Sequence, residues 1–472
     1  MSYQVPEHIA NSKVFLTNFS EVQGGRLDPV FVYSMKHKKK FNYPSKSLNK
    51  LVLFATGGTP SKAKPEYWGG DIYWVSAKDF KSFYLDRAED TITELGLKNS
   101  SSKLIPQNSL LMVVRSGILL HTLPIAINKC PVAINQDIKA LFIKDSQVDS
   151  RYLGYFFDVF NKYVLFKVVK HSTTVQSVNT VELEKIEVPI PSNEIQLDIV
   201  NIMDSAYVQK HLKEQQAKAL LQSIDDYLLG ELGIQLPETK SQTIQDRMFV
   251  VNHSELSGDR LDPMFYTSQF SNIVAKLHDS ATCKRLGQIA HFSSEIWNQR
   301  DYYEKEFPYI EIGAINITDG TIEDVSFVPV EQAPSRAKVI VRTGDIIIST
   351  TRPDRGAIIK ITENENLYIA STGFSVIRNI DSNINPDYLL AILRHKLILM
   401  QMRQRSTGGN YPAITQEELS NIIIPILPIP KQQEIVNHIS SIRQQAKALQ
   451  EEGKAILEQA KKEVEQMILG QA

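Results

Sequence analysis

The sequence predicts an α+β protein: two similar α/β domains separated by two long antiparallel coiled-coil helices, as a pseudo-twofold internal repeat. Three observations lead to this fold class. Sequence segments recur at a nearly constant offset, short strand-like runs alternate with helical stretches, and two proline-free segments carry a heptad pattern. A chain of 472 residues is also too long for one ordinary core, because domains usually hold about 100–200 residues.

An internal repeat spans the whole sequence, and it determines the fold class, since each copy must form a similar unit. Four segments of the first half recur in the same order in the second half, and the offset is 234 for the first and 236 for the others. The offset of 236 equals half of the chain length of 472 residues. The matched pairs are 24–31 with 258–265, 152–153 with 388–389, 186–189 with 422–425, and 199–201 with 435–437.

Each copy is expected to consist of a globular domain followed by a long helix. The globular parts hold runs such as 109–114 and 345–349, rich in β-type residues and bounded by turn residues. Helical stretches at 151–168 and 387–403 interrupt these strands. The predicted boundaries are 1–190 for the first domain, 191–234 for the first helix, 235–247 for a linker, 248–428 for the second domain and 429–472 for the second helix.

Both long helices carry apolar residues at alternating steps of three and four, which is the pattern of a coiled-coil seam. Such a seam requires a partner helix, and the other long helix is the expected partner. The alternative is that each helix folds back onto its own domain. The residues expected to pair the helices are Ile199, Met203, Ala206, Leu220, Ile224, Ile435, Ile439, Ile442, Leu449 and Ile456.

Catalytic and metal-binding signatures are missing from the sequence. There is no phosphate-binding loop, nucleophile elbow or HExxH motif, and the ten histidines form no ligand cluster. The Asn385-Pro386-Asp387-Tyr388 segment is interpreted as a helix start with Asn385 near the N-cap, as is Asp149 in the first copy. We therefore expect no catalytic residue, no metal site and no cofactor in this chain.

Composition indicates a folded protein of a reducing compartment. Hydrophobic residues make up 42% and charged residues 22%. The two cysteines are far apart in sequence, and no apolar run reaches the roughly 18 residues of a membrane span. A cytoplasmic location without membrane contact is expected.

Charge is unevenly distributed along the chain, although the net charge is only −1. Residues 1–190 hold 24 Lys and Arg against 17 Asp and Glu, a net charge of +7, whereas residues 248–428 hold 17 against 21. A basic first domain is suited to phosphate binding. In the second domain, phosphate contacts would have to come from local basic loops.

Such loops occur at matched places in the two copies. Residues 351–356 and 403–411 of the second copy correspond to 115–117 and 170–177 of the first, and all are rich in Arg, Lys, Ser, Thr, Asn or Gln. These side chains bond phosphates and base edges. The alternative is an ordinary solvated loop, but the recurrence in both copies favours a functional role.

Taken together, the repeat, the helices and several motifs resemble the specificity subunit of type I restriction–modification systems. The best markers are Gly57-Gly58-Thr59-Pro60-Ser61 and the following 67–74 segment, YWGGDIYW. The Ser172-Thr173-Thr174 and Ser406-Thr407-Gly408-Gly409 loops add to the resemblance, as do Gln196 and Gln432-Gln433 at the starts of the long helices. The second copy departs from the pattern, with Ser293-Ser294-Glu295 in place of the Gly-Gly-Thr loop.

The resemblance implies a role in DNA recognition without catalysis. Each domain would be a target-recognition domain that reads one half of a bipartite, asymmetric site in double-stranded DNA. The helices would set the spacing and dock two methylation (modification) subunits, and restriction (motor-nuclease) subunits would join them. S-adenosylmethionine, ATP and Mg would be bound by those partner subunits.

The residues expected to contact DNA follow from the loops and the motifs. In the first domain they are Thr59, Ser61, Lys62, Lys78, Arg115, Lys170, His171, Thr173, Thr174 and Gln176. In the second they are Arg300, Arg352, Arg355, Arg403, Arg405, Thr407, Asn410 and Tyr411.

Two other functions remain open from the sequence. One is the recognition subunit of a related system in which methylase and nuclease share a single chain. The other is a coiled-coil adaptor that binds proteins rather than DNA, which would show no salt-dependent DNA affinity.

Overall fold

The fold is described from a computed structural model. The described residues are 39–170, 175–235, 282–298, 305–323 and 325–470, with 17, 32, 248, 250–253, 261, 263–267, 274–278 and 303. The chain divides into two compact units, Met1–Leu212 with Glu452–Ala472, and Lys213–Glu451. Among the described residues, no helix combines the length and the hydropathy that a membrane crossing requires.

Short strands and short helices make up most of the first unit. Its strands are β1 Ser45–Ser47, β2 Val52–Thr56, β3 Trp68–Val75, β4 Tyr84–Leu85, β5 Asp90–Ile92, β6 Leu104–Ile105, β7 Leu110–Val113, β8 Ile125–Asn128, β9 Val132–Ile134, β10 Ile138–Ile143, β11 Val169–Lys170, β12 Ser177–Val178 and β13 Glu187–Pro189. Its helices are α1 Leu48–Leu51, α2 Glu94–Lys98, α3 Ser150–Val159, α4 Asn161–Val168, α5 Thr180–Glu184 and the first part of α6 Asn193–Leu232.

The second unit has the same kinds of element. Its strands are β14 Thr282–Arg285, β15 His291–Ser293, β16 Glu306–Ile310, β17 Ser326–Pro329, β18 Ala337–Ile340, β19 Ile346–Ser349, β20 Ile358–Lys360, β21 Ile369–Ser371, β22 Phe374–Arg378 and β23 Ile423–Ile426. Its helices are α7 Leu286–Ile289, α8 Pro386–Arg394, α9 Lys396–Arg405, α10 Gln416–Ser420 and most of α11 Ile429–Leu469. Mixed helix and sheet content confirms the α+β class.

Two sheets form the body of the first unit, with strand orders β2-β10-β7-β8-β4 and β5-β3-β9-β6. Strand β7 shows why they pack together. Successive side chains of a strand point to opposite faces, and all four residues of β7 are buried. Leu110 and Met112 face a core that includes helix α3, whereas Leu111 and Val113 face the second sheet. Both faces of the larger sheet are therefore covered.

The same arrangement recurs in the second unit, whose sheets have the orders β15-β22-β19-β20 and β17-β16-β21-β18. Ile346 and Ile348 of β19 face a core that includes α8, and Ile347 faces the second sheet. Helix α8 begins at the expected place, because the Asn385 side chain caps the backbone N–H groups of Asp387 and Tyr388. The corresponding cap of α3 is Asp149.

The long helices contribute to both cores. In the first unit, one core contains Ile199 and Met203 from the start of α6 and Val464 and Ile468 from the end of α11. In the second unit, the main core contains residues from the end of α6 and from the start of α11. These are Leu228, Leu232, Ile435 and Ile439.

Burial of the predicted seam positions varies along the helices. The buried positions are Ile199, Met203, Ala206, Ile435, Ile439 and Ile442, and the half-buried ones are Leu220, Ile224, Leu449 and Ile456. Near the end of α11, Leu457 is buried more completely than Ile456. A step of four from the buried Gly453 to Leu457 replaces the expected step of three, which is a stutter in the heptad pattern.

A buried glutamine ties the first long helix to its domain. The Gln196 Oε1 atom accepts a hydrogen bond of 2.9 Å from the Asp149 N–H. Its Nε2 atom donates to the carbonyl oxygens of Gln147 at 2.7 Å and Pro191 at 3.0 Å. The side chain thus joins the start of α6 to the residue that caps α3.

The second copy repeats this device at an offset of 236. The Gln432 Oε1 atom accepts from the Asn385 N–H at 2.8 Å, and its Nε2 atom donates to the carbonyls of Asn383 at 3.1 Å and Leu427 at 2.8 Å. Both glutamines are buried, and their amide groups are hydrogen-bonded, as buried polar groups in proteins usually are. This explains why a glutamine stands near the start of each long helix.

Candidate nucleic-acid interface

Two loops that are far apart in sequence meet at one surface of the first unit. They are the turn that follows β7 and the β11–β12 hairpin. The Ser116 N–H donates to the Gln176 carbonyl at 3.1 Å, and the Val178 N–H donates to the Val114 carbonyl at 2.8 Å. Arg115, between these bonds, is exposed.

The equivalent loops of the second unit make the same backbone hydrogen bonds 236 residues later. The Arg352 N–H donates to the Pro412 carbonyl at 2.7 Å, and the Ile414 N–H donates to the Thr350 carbonyl at 2.9 Å. The framework is therefore shared, but the side chains differ. We call each pair of loops a loop surface: residues 114–117 with 169–170 and 175–178 in the first unit, and 350–356 with 405–414 in the second.

An open cleft of about 550 Å³ lies next to the loop surface of the first unit. Among its lining residues are Lys78, Arg115, Ser116 and Gln136. Two cations are thus brought to one cleft from turns almost 40 residues apart in sequence. The exposed Gln136 was not among the residues expected to contact DNA.

The Gly57-Gly58-Thr59 loop owes its sequence to close packing against β9. A Cβ atom on Gly57 would lie 1.8 Å from the Ile134 carbonyl oxygen, so no larger residue fits. The Gly58 N–H donates to that same carbonyl at 3.0 Å. The close contact of the two glycines with Ile134 places Thr59 beside Gln136 of the cleft. There the Thr59 hydroxyl donates to Gln136 Oε1 at 2.7 Å.

The equivalent loop of the second unit is built differently, as its Ser293-Ser294-Glu295 sequence indicated. Glu295, 236 residues after Thr59, accepts hydrogen bonds from Arg342 Nε at 2.9 Å and from Arg378 Nη1 at 2.6 Å. Arg378 also binds the buried Asp345 at 2.7 Å. The hydrogen bond from Arg342, reinforced by Arg378, outweighs burial and lowers the pKa of the Glu295 carboxyl to about 2. This loop is held in an ion-pair network.

The cations of the predicted site fall into two groups. Five of them are exposed, and their side chains have no hydrogen-bond or ion-pair partner among the described residues: Lys62, Arg115, Lys170, Arg355 and Arg403. These groups are available to phosphate oxygens. Thr407, Asn410 and Tyr411 are exposed as well.

The other cations already have partners within the protein. Lys78 forms ion pairs with Asp90 at 2.9 Å and Glu89 at 3.2 Å. Arg405 is only partly exposed and pairs with Glu418 at 2.7 Å. Their charges are largely satisfied in the folded chain.

Arg352 organises the second loop surface. Its backbone is left-handed, with φ of 49°, which is uncommon for a residue with a side chain. Its guanidinium donates to the Asn410 carbonyl at 2.6 and 3.1 Å and lies 4.5 Å from the centre of the Tyr411 ring. Arg352 thus holds together the two loops of this surface, and Tyr411 remains 72% exposed.

The remaining predicted residues are less informative. Gln176 is 5% exposed, so its side chain does not face solvent. Thr59 is half-buried and Ser61 is exposed. Four of the residues predicted to contact DNA lie outside the described residues: His171, Thr173, Thr174 and Arg300. Most of the 235–247 linker and the 24–31 repeat segment lie outside them as well.

Within the described ranges, no group of three or more His, Cys, Asp or Glu side chains could hold a metal ion. The described side chains of the two loop surfaces offer hydrogen-bonding groups and positive charge.

Comparison with known proteins identifies the family. The family model described as "Type I restriction modification DNA specificity domain" matches residues 42–222 and 281–459, more than half of the chain. The chain is 38% identical over 160 residues to the Type I restriction enzyme EcoR124I/EcoR124II specificity subunit of Escherichia coli, a match that covers 34% of this chain and 39% of that protein. It is 32% identical over 161 residues to the MjaIX specificity subunit of Methanocaldococcus jannaschii, covering 34% and 36%.

These matches span well under half the length of those relatives. A crystal structure of the S subunit of a type I restriction–modification system from M. genitalium is similar at 14% identity, covering 91% of this chain and 98% of that chain with a TM-score of 0.40. The two matched ranges of the family model each include one of the loop surfaces. The chain belongs to the type I restriction–modification DNA specificity family.

Proposed function

We propose that this chain is the sequence-specific DNA-binding subunit of a type I restriction–modification complex and reads a bipartite, asymmetric site. The observation that carries this proposal is the pair of loop surfaces. They share the same backbone hydrogen bonds at an offset of 236 but carry different side chains. A shared frame with different exposed groups is suited to reading two unrelated half-sites, because side chains at base edges carry the specificity.

Phosphate binding would fall to the unpaired cations. In the first domain these are Lys62, Arg115 and Lys170, and in the second they are Arg355 and Arg403. Each neutralised phosphate releases counterions from DNA, so these five residues would supply a salt-dependent affinity. The exposed Thr407, Asn410 and Tyr411 would add hydrogen bonds and stacking.

We further propose that residues 1–190 and 248–428 act as target-recognition domains, separated by paired antiparallel helices within 191–234 and 429–472. The core clusters support this pairing, because the start of α6 shares a core with the end of α11, and the end of α6 with the start of α11. Lys431 and Glu231 add an ion pair of 2.6 Å between these helices. Paired helices of this length would set a fixed spacing between half-sites, which on DNA is close to one duplex turn or a simple extension of it.

In this proposal the chain itself catalyses nothing and works in the cytoplasm. Two modification subunits would dock on it and carry out the methylation with S-adenosylmethionine. Restriction subunits would supply the ATP- and Mg-dependent cleavage. The similar proteins are specificity subunits of type I restriction enzymes, which supports a division of labour between separate subunits.

The test is methylome sequencing of a host that carries this protein with its modification subunit. We expect methylation at a bipartite, asymmetric motif. Replacing residues 1–190 by the first domain of another family member should change one half of that motif only. A continuous or palindromic motif would contradict the proposal, and an absence of salt-dependent DNA affinity would favour a protein adaptor.

A further inference from the structure

We propose that Gln136 is a specificity-determining residue of the first domain, and that Thr59 is the positioning residue that orients it. The inference rests on the proposed DNA-binding function and names one base contact within it. Gln136 would read an adenine in the major groove, in the half-site bound by the first domain.

Position is the first argument. Gln136 stands in the tight connection between β9 and β10, two strands whose residues are mostly buried. Its backbone neighbours are held in place, because Asn135 is buried and its Oδ1 atom accepts a hydrogen bond of 3.0 Å from the Asp137 N–H. The exposed side chain of Gln136 therefore projects from a rigid part of the domain into the cleft that it shares with Arg115.

Orientation is the second argument. The Thr59 hydroxyl donates to Gln136 Oε1 at 2.7 Å, which turns one end of the amide toward the loop and leaves the Nε2 donors without a partner among the described residues. Oε1 keeps a second lone pair. A glutamine that offers one donor and one acceptor side by side matches adenine, whose N7 accepts and whose N6 donates.

The Gly57-Gly58 segment fixes the position of Thr59, which is the third argument. Its contact with Ile134 anchors the loop, and the Trp74 Nε1 atom donates to the Gly58 carbonyl at 3.0 Å. The glycines thus serve to deliver the Thr59 hydroxyl to Gln136. The second unit lacks this arrangement, because Glu295 and Thr372 stand at the positions equivalent to Thr59 and Gln136 and Glu295 is bound by two arginines.

Methylome sequencing and DNA binding of Gln136→Ala in the complex with the modification subunit test the proposal. We expect discrimination at one adenine position of one half-site to fall by roughly 10-fold to 100-fold, with the other half of the motif unchanged. The slope of log affinity against log salt should stay the same, because no phosphate contact is removed.

Thr59→Val tests the positioning role. It should relax the same single position as Gln136→Ala, to a smaller degree, and Thr59→Ser, which keeps a hydroxyl, should restore discrimination. Gln107→Ala is the matched control, because this exposed residue lies before the start of β7 whereas the cleft lies beyond its end. The control should leave the motif unchanged.

Two outcomes would overturn the inference. One is that Gln136→Ala leaves both the methylated motif and the DNA affinity unchanged. The other is that Gln136→Ala lowers the affinity equally for all DNA sequences and makes the slope of log affinity against log salt shallower, which would indicate a phosphate contact. Failure of the proposed function looks different, because the unmutated complex would then methylate no bipartite motif at all.

Discussion

At the scale of single residues, Arg403 and Arg405 show how neighbouring arginines take different roles. Arg403 is exposed near the end of α9 and has no ion-pair or hydrogen-bond partner among the described side chains. Arg405 binds Glu418 at 2.7 Å and lies 5.7 Å from the centre of the Phe265 ring. An arginine already paired within the protein has less to offer to a phosphate.

We therefore predict different effects of alanine at these two positions. Arg403→Ala should weaken DNA binding for all sequences and reduce the slope of log affinity against log salt by about one, with stability unchanged. Arg405→Ala should mainly destabilise the second unit by about 1–2 kcal/mol, because the partly buried ion pair between Arg405 and Glu418 is lost. DNA-binding measurements at several salt concentrations report the loss of a phosphate contact, and denaturant unfolding reports the loss of stability. Equal slopes of log affinity against log salt in the two variants would contradict the prediction.

The Glu295 ion-pair network predicts a dependence of stability on pH. Because the pKa of Glu295 falls from 4.5 to about 2 on folding, its stabilisation is complete above pH 4.5 and is lost as pH falls toward 2. Glu295→Gln should cost about 1–2 kcal/mol at pH 7, and this difference should narrow as pH decreases below 4.5.

The measurement is denaturant unfolding of both proteins at several pH values between 3 and 7. Glu331→Gln is a suitable control, since this exposed glutamate of the same unit forms no ion pair within the described part of the chain. A stability gap for Glu295→Gln that stays constant from pH 7 to pH 3 would show that charge is not its cause.

At the scale of elements, the buried glutamines decide how each long helix joins its domain. Gln432 hydrogen-bonds the backbone of Asn383 and of Asn385, the residue that caps α8, and also the carbonyl of Leu427 just before α11. Gln196 does the same for α3. The helix start, the domain and the cap are thus stabilised together.

Gln432→Ala should therefore destabilise the second unit by about 2–4 kcal/mol, because three partly buried backbone groups lose the hydrogen bonds that the buried amide makes with them. Hydrogen exchange should increase in the peptides around 383–390 and 427–435, where those groups lie. Gln444→Ala, an exposed glutamine on the same helix, should change stability by no more than about 0.5 kcal/mol. Equal losses of stability in the two variants would show that the hydrogen bonds of Gln432 do not stabilise the junction between α11 and its domain.

At the scale of the whole molecule, the proposed spacing function depends on helix length. Inserting four residues after Ala219 adds about 6 Å and roughly one turn to α6, and a coiled coil tolerates such a stutter with slight unwinding. The stutter already present at Leu457 is of the same kind. We expect the variant to methylate both original half-sites with a spacer longer by one or two base pairs.

Methylome sequencing of the insertion variant is again the measurement. An active variant with an unchanged spacer would show that the separation is set elsewhere, most simply by the modification subunits. Its control is the same four-residue insertion in an exposed loop, for example after Gln107, which should leave the spacer length as it was.

The local and periodic structure of this protein can be predicted from its amino-acid sequence. The offset of 236, the helix caps at Asp149 and Asn385, and the strand within 345–349 can all be predicted because they depend on neighbouring residues and on repeat distance. Which polar side chains pair with each other depends instead on the tertiary structure. The role proposed for Gln136 could not be predicted from the sequence, because the Thr59 hydroxyl that bonds it lies 77 residues away and packing of Gly57 against Ile134 brings the two together. Side-chain partners are chosen by packing between distant segments, which neither composition nor periodicity records.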